Sequence, residues 1–103
     1  MPQADGARKA RPAVLLCSFP PFGDWLVLGI SSSIGLAVPG LDLVIHEEHP
    51  SYTLSRLDFT GVVRLGHANV VPVEWIEGII GRVDPETLQT LTERFVKQVL
   101  KGE

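Results

Sequence analysis

Apolar residues in this 103-residue chain arrive in short runs cut by proline and glycine, and only the last segment carries a long helical period. That patterning constrains the fold more than any single motif. Pro12–Cys17 is an apolar run led by proline, which the first position of a strand tolerates. Ser18–Asp24 (SFPPFGD) reads as a turn-rich loop, and Trp25–Ser31 as a second strand. Ser32–Gly40 reads as a loop. Leu41–His46 and Phe59–Leu65 are β-branched and alternate moderately, so both read as strands. Gly66–Asn69 reads as a turn, Val70–Val73 as a short extension that Pro72 limits, and Gly78–Val83 as a further short strand.

The closing segment has both a start signal and a period. Asp84 suits an N-cap, Pro85 the first helical position, and Glu86 the positive end of the helix dipole. Leu88, Leu91, Phe95 and Val99 recur at spacings of three and four, and Val96 and Leu100 widen the stripe. This predicts an amphipathic helix of about four turns, with Lys97 and Lys101 at its C-terminal end, Gly102 as a stop and Glu93–Lys97 as an i,i+4 pair. Five or six short strands followed by one helix predict a mainly β (α+β) domain. Its form is a small curled antiparallel sheet or barrel, open or closed, covered by the helix. Residues 1–10 are small, polar and aperiodic and read as a flexible leader, so 11–101 is the expected domain.

Composition narrows the function. Hydrophobic residues are 45% and charged residues 20%, which excludes a disordered tail. Nine Lys+Arg against 12 Asp+Glu give a net charge of −3, which argues against binding duplex DNA through a broad basic face. The single Cys17 excludes an internal disulfide and a cysteine-rich zinc site, and it reads as inert packing at a strand end. No apolar run reaches the ~18 residues of a membrane span. Arg8, Lys9 and Arg11 precede an apolar stretch shorter than a secretory signal needs, so the chain is expected in the cytoplasm, away from membranes.

The first two strands are joined by a short loop, so they pair antiparallel. Folding the hairpin about Pro21-Phe22 pairs Cys17 with Leu26 or Trp25 and brings residue 12 to position 30 or 31. Arg11 and Ser31 then arrive side by side, within a residue or two. An arginine beside Ser31, Ser32 and Ser33 makes a phosphate site: the guanidinium fork matches phosphate oxygens and the hydroxyls add donors. Around a scissile RNA phosphate, those groups would stabilise the charge that grows when a ribose 2′-OH attacks phosphorus, with no metal or other cofactor. The competing assignment is a solvated arginine at a strand start and serines that cap a turn.

The same residues carry a family resemblance. Arg11-Pro12-Ala13-Val14-Leu15-Leu16 resembles the Arg-Pro-Ala strand of the PemK/MazF family, the toxin half of bacterial type II toxin–antitoxin pairs. Gly29-Ile30-Ser31-Ser32 resembles its Pro-Ile-Thr-Ser segment, and Val62–Leu65 with Gly78–Glu86 resemble its C-terminal half. The resemblance spans about residues 11–100. It implies an SH3-like barrel that forms a homodimer, cleaves single-stranded RNA without a metal, and binds a cognate antitoxin. It assigns catalysis to Arg11 and Ser31, with Ser32, Ser33 and Arg64 on the substrate. The alternative is a catalytically degenerate barrel acting as a protein-interaction module or dimerisation domain.

Other candidates compete with plainer roles. His46-Glu47-Glu48-His49 spaces its histidines at i and i+3 rather than the i and i+4 of helical zinc sites, and Pro50 follows, so a solvated strand end outweighs a metal-dependent hydrolase. A histidine among His46, His49 and His67 would suit a general acid, but sequence places none of them beside Arg11. Trp25 fits core packing and Trp75, between Glu74 and Glu77, a partner surface. Phe19 and Phe22 around Pro20-Pro21 form an apolar loop tip suited to another chain.

Overall fold

The computed structural model describes residues 11–101; the leader at 1–10 and the stop at Gly102 lie outside them. Four strands form one antiparallel sheet: β1 (Ala13–Phe19), β2 (Asp24–Ser31), β3 (Leu43–Ile45) and β4 (Gly61–Val71), in the order β1-β2-β4-β3. Helix α1 (Pro50–Ser55) lies between β3 and β4, and helix α2 (Pro85–Lys101) closes the described chain. The expected α+β architecture holds, as a curled half-barrel with one long helix.

The β1–β2 hairpin turns through Pro20–Gly23, with Gly23 at φ +78°, a left-handed position that glycine adopts without strain. Its register matches the sequence count: Cys17 pairs with Leu26 and Ala13 with Gly29. Leu16 is the extra residue at a bulge between Leu15 and Cys17. Two expected boundaries differ. Gly66–Asn69 is not a turn but part of an 11-residue strand. Leu28 pairs with Ala68, whereas Gly29 pairs with Arg64, so Leu65, Gly66 and His67 are bulged out opposite β2. The turn chemistry is spent on curling the sheet rather than ending the strand. Gly78–Val83 is irregular chain rather than a strand, which leaves four strands among the described residues where five or six were expected.

Alternation assigns the two faces of the sheet. Val14, Leu28, Ile30, Val63, Leu43 and Ile45 fall on one face and pack with Leu65 and with Leu88, Leu91 and Phe95 of α2. Leu91 is fully buried in that cluster. The helix covers the sheet through Leu88, Leu91 and Phe95, but the last residue of the expected stripe, Val99, is exposed, as are Val96 and Leu100, which were to widen it. Cys17 is also exposed, on the edge strand β1, rather than packed.

Helix α1 was not legible in sequence. His49 is its N-cap, the imidazole Nδ1 accepting from Ser51 N–H at 3.0 Å, and Pro50 takes the first turn. The His46–His49 segment is thus a turn and a cap rather than a strand end. Ser51, fully buried, joins the two helices: its hydroxyl donates to Asp84 Oδ1 and accepts from Asp84 N–H at 2.9 Å. Asp84 caps α2 as expected, accepting from Thr87 N–H at 3.0 Å and Thr87 Oγ1 at 2.6 Å. Those donors, Ser51 first, lower the Asp84 pKa to about 2.

The irregular segment before α2 is pinned by Arg82 N–H donating to Leu54 O at 2.9 Å. Gly81 makes that approach possible, since a Cβ there would sit 2.3 Å from Ser55 O and 2.5 Å from Leu54 O. Backbone carbonyls cannot swing aside as a side chain can. Gly81→Ala should therefore destabilise the protein by about 1–3 kcal/mol, the range for overpacking, read by urea denaturation. An unchanged midpoint would contradict this packing.

The Asp84 cap gives a pH signature. A carboxyl whose pKa falls on folding stabilises above its unfolded pKa and loses that contribution as pH drops through the folded one. Asp84→Ala should therefore lower the thermal midpoint at pH 7, and the gap to wild type should shrink between about pH 4 and pH 2. A gap constant across that window would remove the ionised cap from the account.

Candidate functional site: one face of the β-sheet

Opposed residues on neighbouring antiparallel strands share a face. Ile30 N–H donates to Pro12 O at 3.2 Å, so the hairpin ladder runs one step past β1. Continuing that register by one residue sets Arg11 across from Ser31. On the other side of β2, Gly29 pairs with Arg64 and Ser31 with Val62. By alternation Ser31 and Arg64 share the face opposite Leu28 and Val63, and the extended register would add Arg11; the fully buried Val62, paired with Ser31, lies on that face too. Arg11 is exposed and Ser31 half-buried.

Ser31 has a local role as well. Its Oγ accepts from Ser33 N–H at 3.0 Å, the serine turn that competed with a phosphate site in the sequence. That bond fills one lone pair of the hydroxyl and leaves its own O–H without an acceptor among the described residues. Ser32 and Ser33 are exposed in the loop that follows.

Arg64 is positioned from below by Asp42. Its Nε lies 3.9 Å from Asp42 Oδ2, an electrostatic contact too long for a hydrogen bond, and Nε is buried with no hydrogen-bond partner. Asp42 is nearly fully enclosed, and both its oxygens are taken: Oδ1 accepts from Leu65 N–H at 3.0 Å and Oδ2 from Val38 N–H at 2.9 Å. Asp42 supplies a negative charge beneath the guanidinium and does not cap its fork, which stays available to an anion. Asp42 falls within the strand expected over Leu41–His46, whereas it precedes β3, and nothing in the sequence marks it as a buried acceptor.

The β4 bulge adds a fourth residue to this face. A Cβ at Gly29 would lie 3.4 Å from His67 Cβ, so the exposed His67 sits over Gly29, between the strand positions of Ser31 and Arg64. The bulge thus supplies the placement that sequence could not. His46 and His49 lie elsewhere, their rings edge to face at 6.1 Å. No group of three or more His, Cys, Asp or Glu among the described residues is arranged to hold a metal ion. No helix among them is long and apolar enough to cross a membrane.

Compared with known proteins, the chain matches no family model and no curated relative. Asp42 is the anchor of the site, and Asp42→Ala should cost about 1–3 kcal/mol of stability by leaving the buried Leu65 N–H unsatisfied. Asp42→Asn, which keeps an acceptor but loses the charge under Arg64, should retain part of that stability. Equal losses in the two variants, measured by urea denaturation, would contradict the hydrogen-bonding role.

Proposed function

We propose that this chain is a metal-independent endoribonuclease of the PemK/MazF type, the toxin of a type II toxin–antitoxin pair. In this reading it acts in the cytoplasm as a homodimer on single-stranded RNA and is held in check by a cognate antitoxin. One observation supports the reading: the hairpin ladder reaches Pro12 and Ile30, so that extended by one residue it would bring Arg11 to Ser31, on the face that also bears Arg64 and His67.

The chemistry follows from those groups. A ribose 2′-oxygen attacks the adjacent phosphorus, the bond to the 5′-oxygen breaks, and a 2′,3′-cyclic phosphate and a 5′-hydroxyl result. The proton lost by the 2′-OH is matched by one gained at the leaving oxygen, so no water or metal is consumed. Arg11 and Arg64 offset the negative charge gathering on the equatorial oxygens, and the Ser31 O–H donates to one of them. Ser32 and Ser33 contact the neighbouring sugar-phosphate. His67 is the proton carrier nearest this face.

A second reading has its own observation. Phe22 is 80% exposed, Ile79 72% and Leu100 80%, and among the described residues no strand pairs with the outer edge of β1. Such a surface suits a non-catalytic interaction or dimerisation module.

RNA cleavage in EDTA separates the two. Wild type should cut single-stranded RNA and leave a cyclic phosphate end. Arg11→Ala and Ser31→Ala should each lose about 100-fold in rate or more, the scale for one oxyanion-stabilising donor. His67→Gln should lower the rate and flatten its pH profile. Absence of cleavage by wild type, or equal cleavage by Arg11→Ala, would leave the interaction module as the better reading.

A further inference from the structure

A second concentration of positive charge lies away from the sheet face just described. A cavity of about 190 Å³ opens between the C-terminal half of α2 and the loop that enters β3, lined by Gly40, Leu41, Arg94, Lys97, Gln98 and Lys101. Three of these six residues are cationic and none is acidic, in a chain whose net charge is −3. Helical spacing explains the grouping: 94, 97, 98 and 101 follow one another along a single flank of α2. That flank adjoins the core stripe, so the loop at Gly40–Leu41 walls it on one side.

The three cations are not equivalent. Arg94 is fixed, its Nη1 donating to Leu41 O at 3.3 Å and Asp42 O at 2.8 Å, and it forms a rigid wall. Lys97 and Lys101 have no hydrogen-bond or ion-pair partner among the described residues. The expected Glu93–Lys97 pair does not form, because Glu93 Oε2 accepts instead from Gln89 Nε2 at 3.1 Å. Among the described residues no carboxylate pairs with either ammonium, and the two line the cavity with a braced guanidinium, so the lining attracts anions. The plainer role for lysines in a last turn is to offset the helix dipole. That role does not require a walled cavity or the inward-set Arg94.

We propose that this cavity is a binding site for a compact phosphate dianion, either inorganic phosphate or the terminal phosphate of a mononucleotide. Two mobile ammonium groups match a double negative charge, and Arg94 adds a fixed one. The volume equals that of roughly six waters, room for a phosphate with part of its hydration shell. The site does not depend on the ribonuclease reading: it uses neither Arg11, Ser31, Arg64 nor His67.

The test uses backbone amide NMR shifts of Gly40, Leu41 and Lys97–Lys101 in the whole chain, at constant ionic strength. Inorganic phosphate should shift these amides saturably, and a 5′-mononucleotide should shift the same set. A nucleoside lacking the phosphate should not. Lys97→Gln with Lys101→Gln, both on the exposed flank, should weaken phosphate at least tenfold while leaving the rest of the spectrum in place. A response to chloride equal to that of phosphate would overturn the site. So would saturable shifts from a single-stranded RNA with none from phosphate. An RNA-cleavage assay of the double variant keeps the two proposals apart: cleavage at the wild-type rate with phosphate binding lost supports two separate sites.

Discussion

Asp42 accepts hydrogen bonds from Leu65 N–H on the bulged part of β4 and from Val38 N–H in the loop before β3, and its carbonyl accepts from Arg94 on α2. One buried residue therefore ties the curled sheet, the loop before β3 and the covering helix. The core it supports is small, with Leu28, Ile45, Leu91, Val62 and Val63 the fully buried apolar side chains. In a chain this short, apolar burial alone leaves little margin over conformational entropy. A buried carboxylate costs desolvation, and that cost is offset only when its oxygens are filled, as both of these are. The loop at Val38–Leu41 owes its place to this residue, and both candidate sites depend on the loop's position. Arg64 stands on one side of Asp42 and the Arg94 wall of the phosphate cavity on the other.

Asp84 does for the helices what Asp42 does for the sheet. Its carboxylate caps α2 through Thr87 and grips α1 through Ser51, and Gly81 lets the intervening chain lie against the end of α1. Helix α1 has six residues, too few to stand alone in water. It persists because His49 caps its start and Ser51 anchors its buried side. The two aspartates act at opposite ends of the α2 packing. Asp84 fixes where the helix begins, and the carbonyls of Leu41 and Asp42 hold Arg94 two turns further on.

What was legible in the sequence was what local chemistry decides. The α2 start at Asp84-Pro85 and the hairpin with its register through Cys17 and Leu26 follow from spacing and turn residues. What was not legible depends on distant partners. Gly66-His67-Ala68-Asn69 has the composition of a turn, and only pairing with β2 keeps it in a strand. Gly78–Val83 has the composition of a strand, but the edges that could pair with it are elsewhere and its backbone bonds to Leu54 instead. Helix α1 is too short to show a period. Asp42 has no local signature, because a buried acceptor is recognised only once its donors are in place. His67 belongs to the same class: it joined the candidate face through a bulge that sequence reads as an exposed turn.

The bulge is where fold and proposed chemistry meet. A regular β4 would carry the alternation on and put His67 on the core face with Val63 and Leu65. The bulge over Leu65, Gly66 and His67 breaks that alternation. Leu65 stays in the core with its N–H on Asp42, while His67 comes over the one β2 position on the opposite face that has no side chain, Gly29. A larger residue at position 29 would meet His67 Cβ at ordinary contact distance and then extend into the space between Ser31 and Arg64. The open patch that a phosphate would need thus comes from a glycine on one strand and an irregularity on the next. Curvature, rather than any motif, brings Ser31, Arg64 and His67 from two strands to one face of the sheet.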